Sequence, residues 1–265
     1  MNYQERSAVL DVRDLRVLVT GGAGGIGRAI AETLSRAGAR VHITDVAQAE
    51  LADALSRVPG LSGSLGDASE AASADRVAAD LAANFGGLDV LINNVGIAGP
   101  TGTVDSYSDA DVERTIAVNL NSQFYFLRRC VPLLRASERS PSIIAISSAA
   151  GRLGYPYRTP YAATKWAIVG LIKSLAVELG PSGIRANAIL PGLVNGDRID
   201  RVIADRAKVL GVGIEETRAE YLQKISLRRM VDAEDIANLA LFLASGMARN
   251  ISGQAISVDG NIEYL

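Results

Sequence analysis

The sequence predicts an α/β fold: one doubly wound domain in which helices cover both faces of a seven-stranded parallel sheet. Two observations predict it. Short apolar runs rich in β-branched residues alternate with longer segments of helical periodicity, which favours right-handed crossovers between parallel strands. No linker rich in Pro, Gly or Ser and no internal repeat divides the 265 residues, so we expect residues 1–265 to form a single domain.

The predicted strands are short and mostly continuously apolar, as strands buried on both faces of a parallel sheet should be. The third, SGSLGD, is the weakest because its residues are small and polar. The seven runs are Arg16–Thr20, Arg40–Asp45, Ser62–Asp67, Asp89–Asn94, Ser142–Ser147, Arg185–Leu190 and Gln254–Asp259.

Helical periodicity fills the segments between the strands, including GRAIAETLSRAG and one long segment, DADVERTIAVNLNSQFYFLRRCVPLL. A charged insert at about 195–230 lies between the last two strands and predicts two amphipathic helices. We expect this insert to cover a substrate site.

A glycine-rich turn, TGGAGGIG, follows the first strand and opens a helix. Gly21 permits a tight turn, Gly25 lets the backbone approach a pyrophosphate, and Gly27 permits close helix–strand packing. The helix N-terminus offers free N–H groups and a positive dipole end to phosphates. The position of this turn therefore predicts a dinucleotide site, with contacts at Gly21, Gly25, Ile26 and Gly27.

Acidic residues follow the second and third strands. A carboxylate at Asp45 can accept both hydroxyls of an adenosine ribose and would repel a 2′-phosphate, so NAD is favoured over NADP. The alternative is that Asp45 only caps the following loop. Asp67, with Ala68 beside it, is placed to reach the adenine. An ordinary loop acid is the alternative there.

NNVG ends the fourth strand. Asn94 and Gly96 suit the approach of a ligand to the carboxyl edge of the sheet, and they can also seal the loop between strands. After the sixth strand, Pro191 and Gly192 redirect the chain over the cleft, and the N–H near Val194 could bind the nicotinamide carboxamide.

Tyr161 and Lys165 lie four residues apart in a segment of strong helical character, so both side chains share one helix face. Thr159 suits the N-cap and Pro160 the first helical position. An ammonium beside a phenol favours the phenolate and lowers its pKa from about 10, so a tyrosine can act as general acid–base without an imidazole.

Ser148 ends the fifth strand, where a hydroxyl can polarise a substrate carbonyl or alcohol. It is not predicted to be a nucleophile because no base is available to activate it. Asn119, inside the long fourth helical segment, could face inward and hold a water against Lys165. An ordinary exposed asparagine fits the residues equally well.

Composition narrows the function classes. The formal charge is −2 with both signs interspersed, which argues against a nucleic-acid partner. Apolar runs are too short to span a bilayer. The single cysteine, Cys130, has apolar neighbours typical of a core and excludes intramolecular disulfides and a cysteine-rich zinc site. The charged N-terminus MNYQERSAVLDVRDLR lacks an apolar signal region, so we expect a cytoplasmic protein.

Taken together in order, TGGAGGIG, NNVG, Asn119, Ser148, YAATK, PG and ISGQAISVDG resemble the short-chain dehydrogenase/reductase family over nearly the whole chain. The resemblance implies a Rossmann-type domain and a homotetramer that pairs the long fourth and fifth helices. It also implies a catalytic tetrad, in which Tyr161 exchanges the proton and Ser148 positions the reacting oxygen. Lys165 holds the nicotinamide ribose and lowers the tyrosine pKa, and Asn119 supports a water relay.

Two residues depart from the family pattern. Val95 stands where the family usually has Ala, a minor packing change. Gly196 stands where many members have Thr, so one cofactor contact is missing or is replaced by Asn195. Cofactor affinity and lid closure are the properties this affects.

The resulting expectation is an enzyme that transfers hydride between NAD and a small molecule, either a secondary alcohol/ketone pair or a sugar hemiacetal. Gly151–Arg158, Ile97–Thr103 and the insert are expected to line the pocket, and a polar sugar, sugar acid, sulfonated sugar or polyol is preferred. A 3-oxoacyl thioester or hydrophobic ketone is the rival substrate, and a non-catalytic NAD-binding regulatory or assembly subunit is the rival class. The candidate substrate residues are Arg152, Tyr155, Arg158, Asn195 and Arg198.

Overall fold

A computed structural model describes residues 10–264 of the chain, and it contains the predicted parallel sheet of seven strands. The strand order is β3-β2-β1-β4-β5-β6-β7, so the chain reverses direction across the sheet between β1 and β4. Such a reversal leaves a crevice at the carboxyl edge of a doubly wound sheet. The strands are β1 (Arg16–Thr20), β2 (Arg40–Asp45), β3 (Ser62–Leu65), β4 (Val90–Asn93), β5 (Ser142–Ile146), β6 (Arg185–Pro191) and β7 (Ala255–Val258).

Nine α-helices connect and cover the strands in the described part of the chain. The predicted insert contains two of them, α7 and α8. The helices are α1 (Gly25–Arg36), α2 (Gln48–Arg57), α3 (Ala71–Phe85), α4 (Asp109–Ile116), α5 (Ser122–Arg135), α6 (Thr159–Leu179), α7 (Asp197–Leu210), α8 (Ile214–Gln223) and α9 (Ala233–Ala244).

The sheet is buried on both faces, and alternate residues of each strand enter different cores. Val17 and Val19 of β1 pack in the core shared with α1 and α9, whereas Leu18 packs in the core shared with α3, α5 and α6. A third, smaller core joins the insert to the loop before α6. Cys130 is fully buried in the second core, and burial raises the pKa of its thiol to about 12, as expected for a packing residue.

Two predicted helix features differ from the structure. The long fourth segment is α4 and α5 joined by a π-helical turn, Ala117–Asn121, which places one extra residue in the helical path. The helix that carries Tyr161 and Lys165 also starts one residue earlier than predicted. Its first residue is Thr159, so Arg158 and not Thr159 occupies the N-cap position, and its side chain makes no capping hydrogen bond. Pro160 lies in the first turn, where its missing N–H leaves no hydrogen bond unmade.

No helix within residues 10–264 is both long and apolar enough to cross a membrane. Part of the N-terminal segment that was judged to lack a signal region, residues 1–9, lies outside the described residues.

At the amino edge of the sheet, Asp89 ties β1 to β4 through a buried ion pair. Its fully buried carboxylate accepts hydrogen bonds from the Arg16 backbone N–H at 2.8 Å, from Arg16 Nη2 at 2.6 Å and from the Ser137 hydroxyl at 2.6 Å. We expect Asp89→Ala to lower the free energy of unfolding by about 3–5 kcal/mol, because it leaves the guanidinium unpaired. Chemical denaturation measures this.

The matched control is Asp75→Ala, which removes the carboxylate of an exposed ion pair with Arg129. It should cost no more than about 1 kcal/mol. Equal losses for the two variants would contradict the role given to Asp89.

Candidate active site

A cavity of about 610 Å³ lies at the carboxyl edge of the sheet, at the crevice between β1 and β4. The turn after β1, the ends of β2, β4, β5 and β6, the start of α6 and the insert supply its walls. All fourteen predicted cofactor contacts line it: Gly21, Gly25, Ile26, Gly27, Asp45, Asp67, Ala68, Asn94, Gly96, Tyr161, Lys165, Pro191, Gly192 and Val194.

The glycine-rich turn has the geometry that its sequence predicts. Gly21 and Gly25 have φ angles of +61° and +51°, a conformation that side chains disfavour. A Cβ on Gly27 would stand 2.0 Å from the Gly21 carbonyl oxygen, so only glycine lets α1 approach the turn. A Cβ on Gly25 would meet nothing within 4 Å, and this open space at the start of α1 leaves room for a phosphate.

Asp45 combines the two predicted roles. Its Oδ2 accepts a hydrogen bond from the Ala23 N–H at 3.0 Å and its Oδ1 accepts one from the Ala47 N–H at 3.1 Å, so the carboxylate does cap the adjoining loops. It also faces the cavity. Each carboxylate oxygen can accept a second hydrogen bond, which leaves capacity for ribose hydroxyls.

Asp67 and Asn94 also make local hydrogen bonds. Asp67 Oδ1 accepts from the backbone and the hydroxyl of Ser69. Asn94 Nδ2 donates to the Thr20 and Gly21 carbonyls at 3.0 and 2.9 Å, so its amide group seals the glycine-rich turn against β4. Only the Asn94 side-chain oxygen is left to meet a ligand.

Beyond β6, several cavity-lining residues have a backbone N–H without a partner within residues 10–264, and Val194 is one of them. The N–H groups of Val231 and Asn195 bond to the Leu193 and Val231 carbonyls, whereas the N–H of Val194 has no partner within residues 10–264. This fits a carboxamide acceptor. Gly196 has a φ of +133°, so the threonine common at this position in the resembled family would be strained here.

Tyr161 and Lys165 lie one turn apart on α6 and face the cavity together with Ser148. The Lys165 ammonium is 5.7 Å from the centre of the Tyr161 ring and donates to the Ile146 carbonyl at 2.9 Å. It is 3% exposed, and no carboxylate lies within ion-pair distance of it in the described chain. The phenol and the ammonium therefore determine each other's protonation.

The phenol of Tyr161 is more acidic than an ordinary tyrosine. Burial alone would raise its pKa, but three cations and the neighbouring Ser148 hydroxyl outweigh burial and lower the pKa to about 8. In order of effect the cations are Lys165, Arg198 and Arg158. Burial has the opposite effect on the ammonium and lowers the pKa of Lys165. The negative charge of the Tyr161 phenolate offsets part of this lowering.

Asn119 lies beneath this group and not in the cavity wall. Its Oδ1 accepts from the Ile97 N–H at 2.7 Å, and its Nδ2 donates to the Ile97 carbonyl and to Thr164. The fully buried amide thus fastens the loop after β4 to α6, and the predicted water contact stays a prediction. A Cβ on Gly96 would stand 3.3 Å from both Asn119 Oδ1 and Lys165 Nζ, which explains the glycine there.

The structure corrects the predicted substrate residues. Arg152 does not line the cavity, because its guanidinium binds Asp259 at 2.9 Å and the Ile262 carbonyl at 2.7 Å. From the two predicted loops, only Ile97, Tyr155 and Arg158 reach the cavity wall.

Asn195 and Arg198 of the insert also line the cavity, as do Arg114 and Arg201, which the sequence reasoning missed. Helical periodicity places Arg114 on one face of α4 and Arg201 on one face of α7. It does not show that these faces border the cavity unless the order of the strands is known. The single histidine, His42, lies buried on β2 between the hydroxyls of Ser62 and Ser64, outside the cavity.

Comparisons with known proteins agree on one family. Residues 21–261 match the family described as "Enoyl-(Acyl carrier protein) reductase". The D-beta-hydroxybutyrate dehydrogenase of Rhizobium meliloti is 34% identical over 92% of this chain and 96% of its own. The L-rhamnose 1-dehydrogenase (NAD(P)(+)) of Azotobacter vinelandii is 34% identical over 94% and 96%. The structure of NAD+-bound xylitol dehydrogenase superposes with a TM-score of 0.90 at 25% identity, over 94% of this chain and 99% of that one.

The lowered pKa of Tyr161 can be measured directly. We expect the ultraviolet absorbance of phenolate to show a component titrating near pH 8. Tyr161→Phe should remove this component, and Lys165→Met should move it toward about pH 10, because the cation with the largest effect on the phenol is lost. Tyr125→Phe, which alters a half-buried tyrosine on α5, is the control and should leave it in place. Survival of the component in Tyr161→Phe would assign it to another tyrosine.

Proposed function

This chain belongs to the short-chain dehydrogenase/reductase family of oxidoreductases, and from that premise we propose that it is an NAD-dependent dehydrogenase with Tyr161 as general acid–base. The observation that carries the proposal is the acidified phenol of Tyr161 in the same cavity as the glycine-rich turn. The proposed substrate is a secondary alcohol/ketone pair or a sugar hemiacetal.

The residues present fit a nicotinamide cofactor, which the family uses. The open start of α1 at Gly25 would hold the pyrophosphate, Asp45 the adenosine ribose, and the unpartnered N–H of Val194 the carboxamide. When bound, the cofactor accepts or returns the hydride of the carbinol carbon.

The protein's own groups handle the proton. In alcohol oxidation, the Tyr161 phenolate accepts the hydroxyl proton while the carbinol C–H bond breaks and the C=O bond forms. Ser148 donates a hydrogen bond that orients the reacting oxygen. Lys165 lowers the pKa of Tyr161 through its charge and so favours the phenolate. In reduction, the protonated phenol returns the proton to the developing alkoxide.

The preference for NAD rests on charge. Asp45 is an acid in the wall next to β2, and a 2′-phosphate there would face like charge. Val46, the residue after Asp45, also lines the cavity and supplies no cation. Among the relatives, the rhamnose dehydrogenase is named for both cofactors and the xylitol dehydrogenase was solved with NAD+, so the family as such does not decide between them.

A polar substrate is the preferred class. The relatives reported above are named for a hydroxy acid, a sugar and a polyol. The polar side chains of Arg158, Asn195 and Arg198 in the wall support this choice over a hydrophobic ketone or an acyl thioester. The insert 195–230, which contributes Asn195 and Arg198, is proposed as the lid over this end.

We also propose a homotetramer. Phe124 on α5 and Trp166 and Val177 on α6 expose half or more of their surface, on the two helical segments expected to pair. Apolar side chains so exposed are typical of contact surfaces. A cytoplasmic location stays an expectation.

Tyr161→Phe tests the enzyme proposal. We expect NADH formation from a panel of alcohols, polyols and sugars to fall by about 10²–10⁴-fold, because the proton acceptor is lost. NAD binding, measured by fluorescence quenching, should persist. Tyr125→Phe should keep turnover. A wild-type protein that binds NAD tightly without any turnover would support the non-catalytic alternative instead.

Asp45→Ser tests the cofactor preference. We expect the NAD-over-NADP ratio of kcat/KM to fall by at least about tenfold, since like-charge repulsion of the 2′-phosphate is removed. Serine retains one acceptor for the loop N–H groups that Asp45 caps. Glu50→Gln, an exposed change on α2 outside the cavity, is the control. An unchanged ratio, or a wild type that prefers NADP, would overturn the role of Asp45.

A further inference from the structure

We propose that the substrate carries an anionic oxygen group, a carboxylate or sulfonate, and that Arg158 is the residue that binds it, assisted by Arg198. The inference rests on the proposed function in one respect: the cavity end beside Tyr161 is taken as the substrate site.

Arg158 is a buried cation without an anion. Arg158 is 4% exposed, and no carboxylate within residues 10–264 lies within ion-pair distance of its guanidinium. Nη2 donates to the Ala98 carbonyl, and Nε is buried with no hydrogen-bond partner. Arg158 also lines the cavity. Because Nε is buried, the part of the guanidinium that a ligand in the cavity can reach is Nη1, which makes no hydrogen bond within residues 10–264.

Two other arginines of the described chain are buried, and both differ from Arg158. Arg206 lies outside the cavity and its Nη2 is 3.9 Å from the Glu220 carboxylate. Arg185 lacks a carboxylate, but it begins β6 at the opposite edge of the sheet and donates to the Leu243 and Ala248 carbonyls. Among the buried arginines of the described chain, only Arg158 combines an unpaired guanidinium with a position in the wall of the cavity.

Burying an unpaired charge is costly, so a compensating contact is expected. The guanidinium of Arg158 is 4.6 Å from the ring centre of Tyr161 and 5.2 Å from that of Tyr155. These cation–π contacts hold the guanidinium plane in place but only partly replace an anion. A fixed, planar and unpaired guanidinium is a preorganised receptor for the two oxygens of a carboxylate or for two of the three oxygens of a sulfonate.

Arg198 brings a second cation to the same tyrosine. Its guanidinium is 5.9 Å from the Tyr161 ring centre, and Nη1 donates to the Gly96 carbonyl at 3.1 Å. Arg114 and Arg201 add positive charge to the wall, and Asp197 is the acid that the insert contributes. The remaining wall acids, Asp45 and Asp67, lie beyond β2 and β3 at the proposed adenosine end. The field at the substrate end therefore favours an anion.

Matched substrate pairs test the proposal. The pairs are 3-hydroxybutyrate with its methyl ester, gluconate with glucitol, and 2-hydroxypropanesulfonate with 2-propanol. We expect the anionic member of at least one pair to have a kcat/KM at least about tenfold higher, the gain from a charge-assisted hydrogen bond. Preference for the neutral member in all three pairs would overturn the proposal.

Arg158→Met separates binding from chemistry. The loss of this cation also raises the pKa of Tyr161, so kcat is expected to fall for every substrate. The diagnostic is KM, which should rise at least about tenfold for the preferred anion and stay within about twofold for its neutral partner. Arg158→Lys should recover part of the lost affinity for the anion, since lysine restores the positive charge but not the paired N–H donors of a guanidinium. Arg249→Met, which removes an exposed arginine outside the cavity, is the matched control. Equal KM changes for both members would contradict the role of Arg158.

A binding measurement keeps this inference distinct from the proposed function. With NAD present, the preferred anion should raise the melting temperature of Tyr161→Phe, which binds without turning over, and should not do so when Arg158→Met is added. Arg158-dependent stabilisation by one of the three anions, together with a wild-type protein that turns over none of the substrates, would sustain the anion site and sink the proposed function. Turnover of neutral alcohols without such stabilisation would do the reverse. If Arg158→Met fails to fold, Arg198→Met is expected to weaken the same stabilisation, and no change there would count against the site.

Discussion

The buried ammonium of Lys165 is the interaction on which the site depends. It is held between β5 and α6 by the Ile146 carbonyl, and the Ser147 hydroxyl binds the Lys165 carbonyl on the same side. Gly151 makes this approach possible, because a Cβ there would lie 2.4 Å from the Ser147 hydroxyl oxygen. A cation buried in this way keeps its charge only if a nearby anion compensates for its lost hydration. The group that can become this anion is the phenol of Tyr161, one helical turn earlier.

Charge also divides the cavity into two unlike halves. The half below the glycine-rich turn combines backbone donors with the acid at Asp45, which suits a group with phosphates at one position and neutral hydroxyls at another. The half around Tyr161 is cationic. The division follows from the sheet order, because β2 and β3 lie on one side of the crevice and β5 and β6 on the other. The fold would therefore order two chemically different ligands along one crevice.

Much of this could be predicted from the sequence, because local rules govern it. Strand positions follow from apolar runs, the glycine-rich turn from its φ requirements, and the Tyr161–Lys165 pair from helical spacing. The failures concern contacts made across the chain. Arg152 and Arg158 are alike as arginines of one loop, and only the fold shows that Asp259, more than a hundred residues later, takes the first and leaves the second unpaired. Nothing in AVNLN reveals the π turn, and the bond from the Ile97 N–H to Asn119 within it joins residues 22 positions apart.

Arg198 belongs to the insert and not to the sheet, yet its charge acts on Tyr161. Movement of α7 that broke the contact with the Gly96 carbonyl would withdraw this guanidinium and make the phenol a weaker acid. If the insert acts as the proposed lid, proton exchange would be coupled to enclosure, because Tyr161 would lose its proton most easily while Arg198 keeps its contact with Gly96. A ligand that kept α7 in this position would also keep the phenol of Tyr161 acidic. Water that entered after α7 had moved away would meet a less acidic phenol.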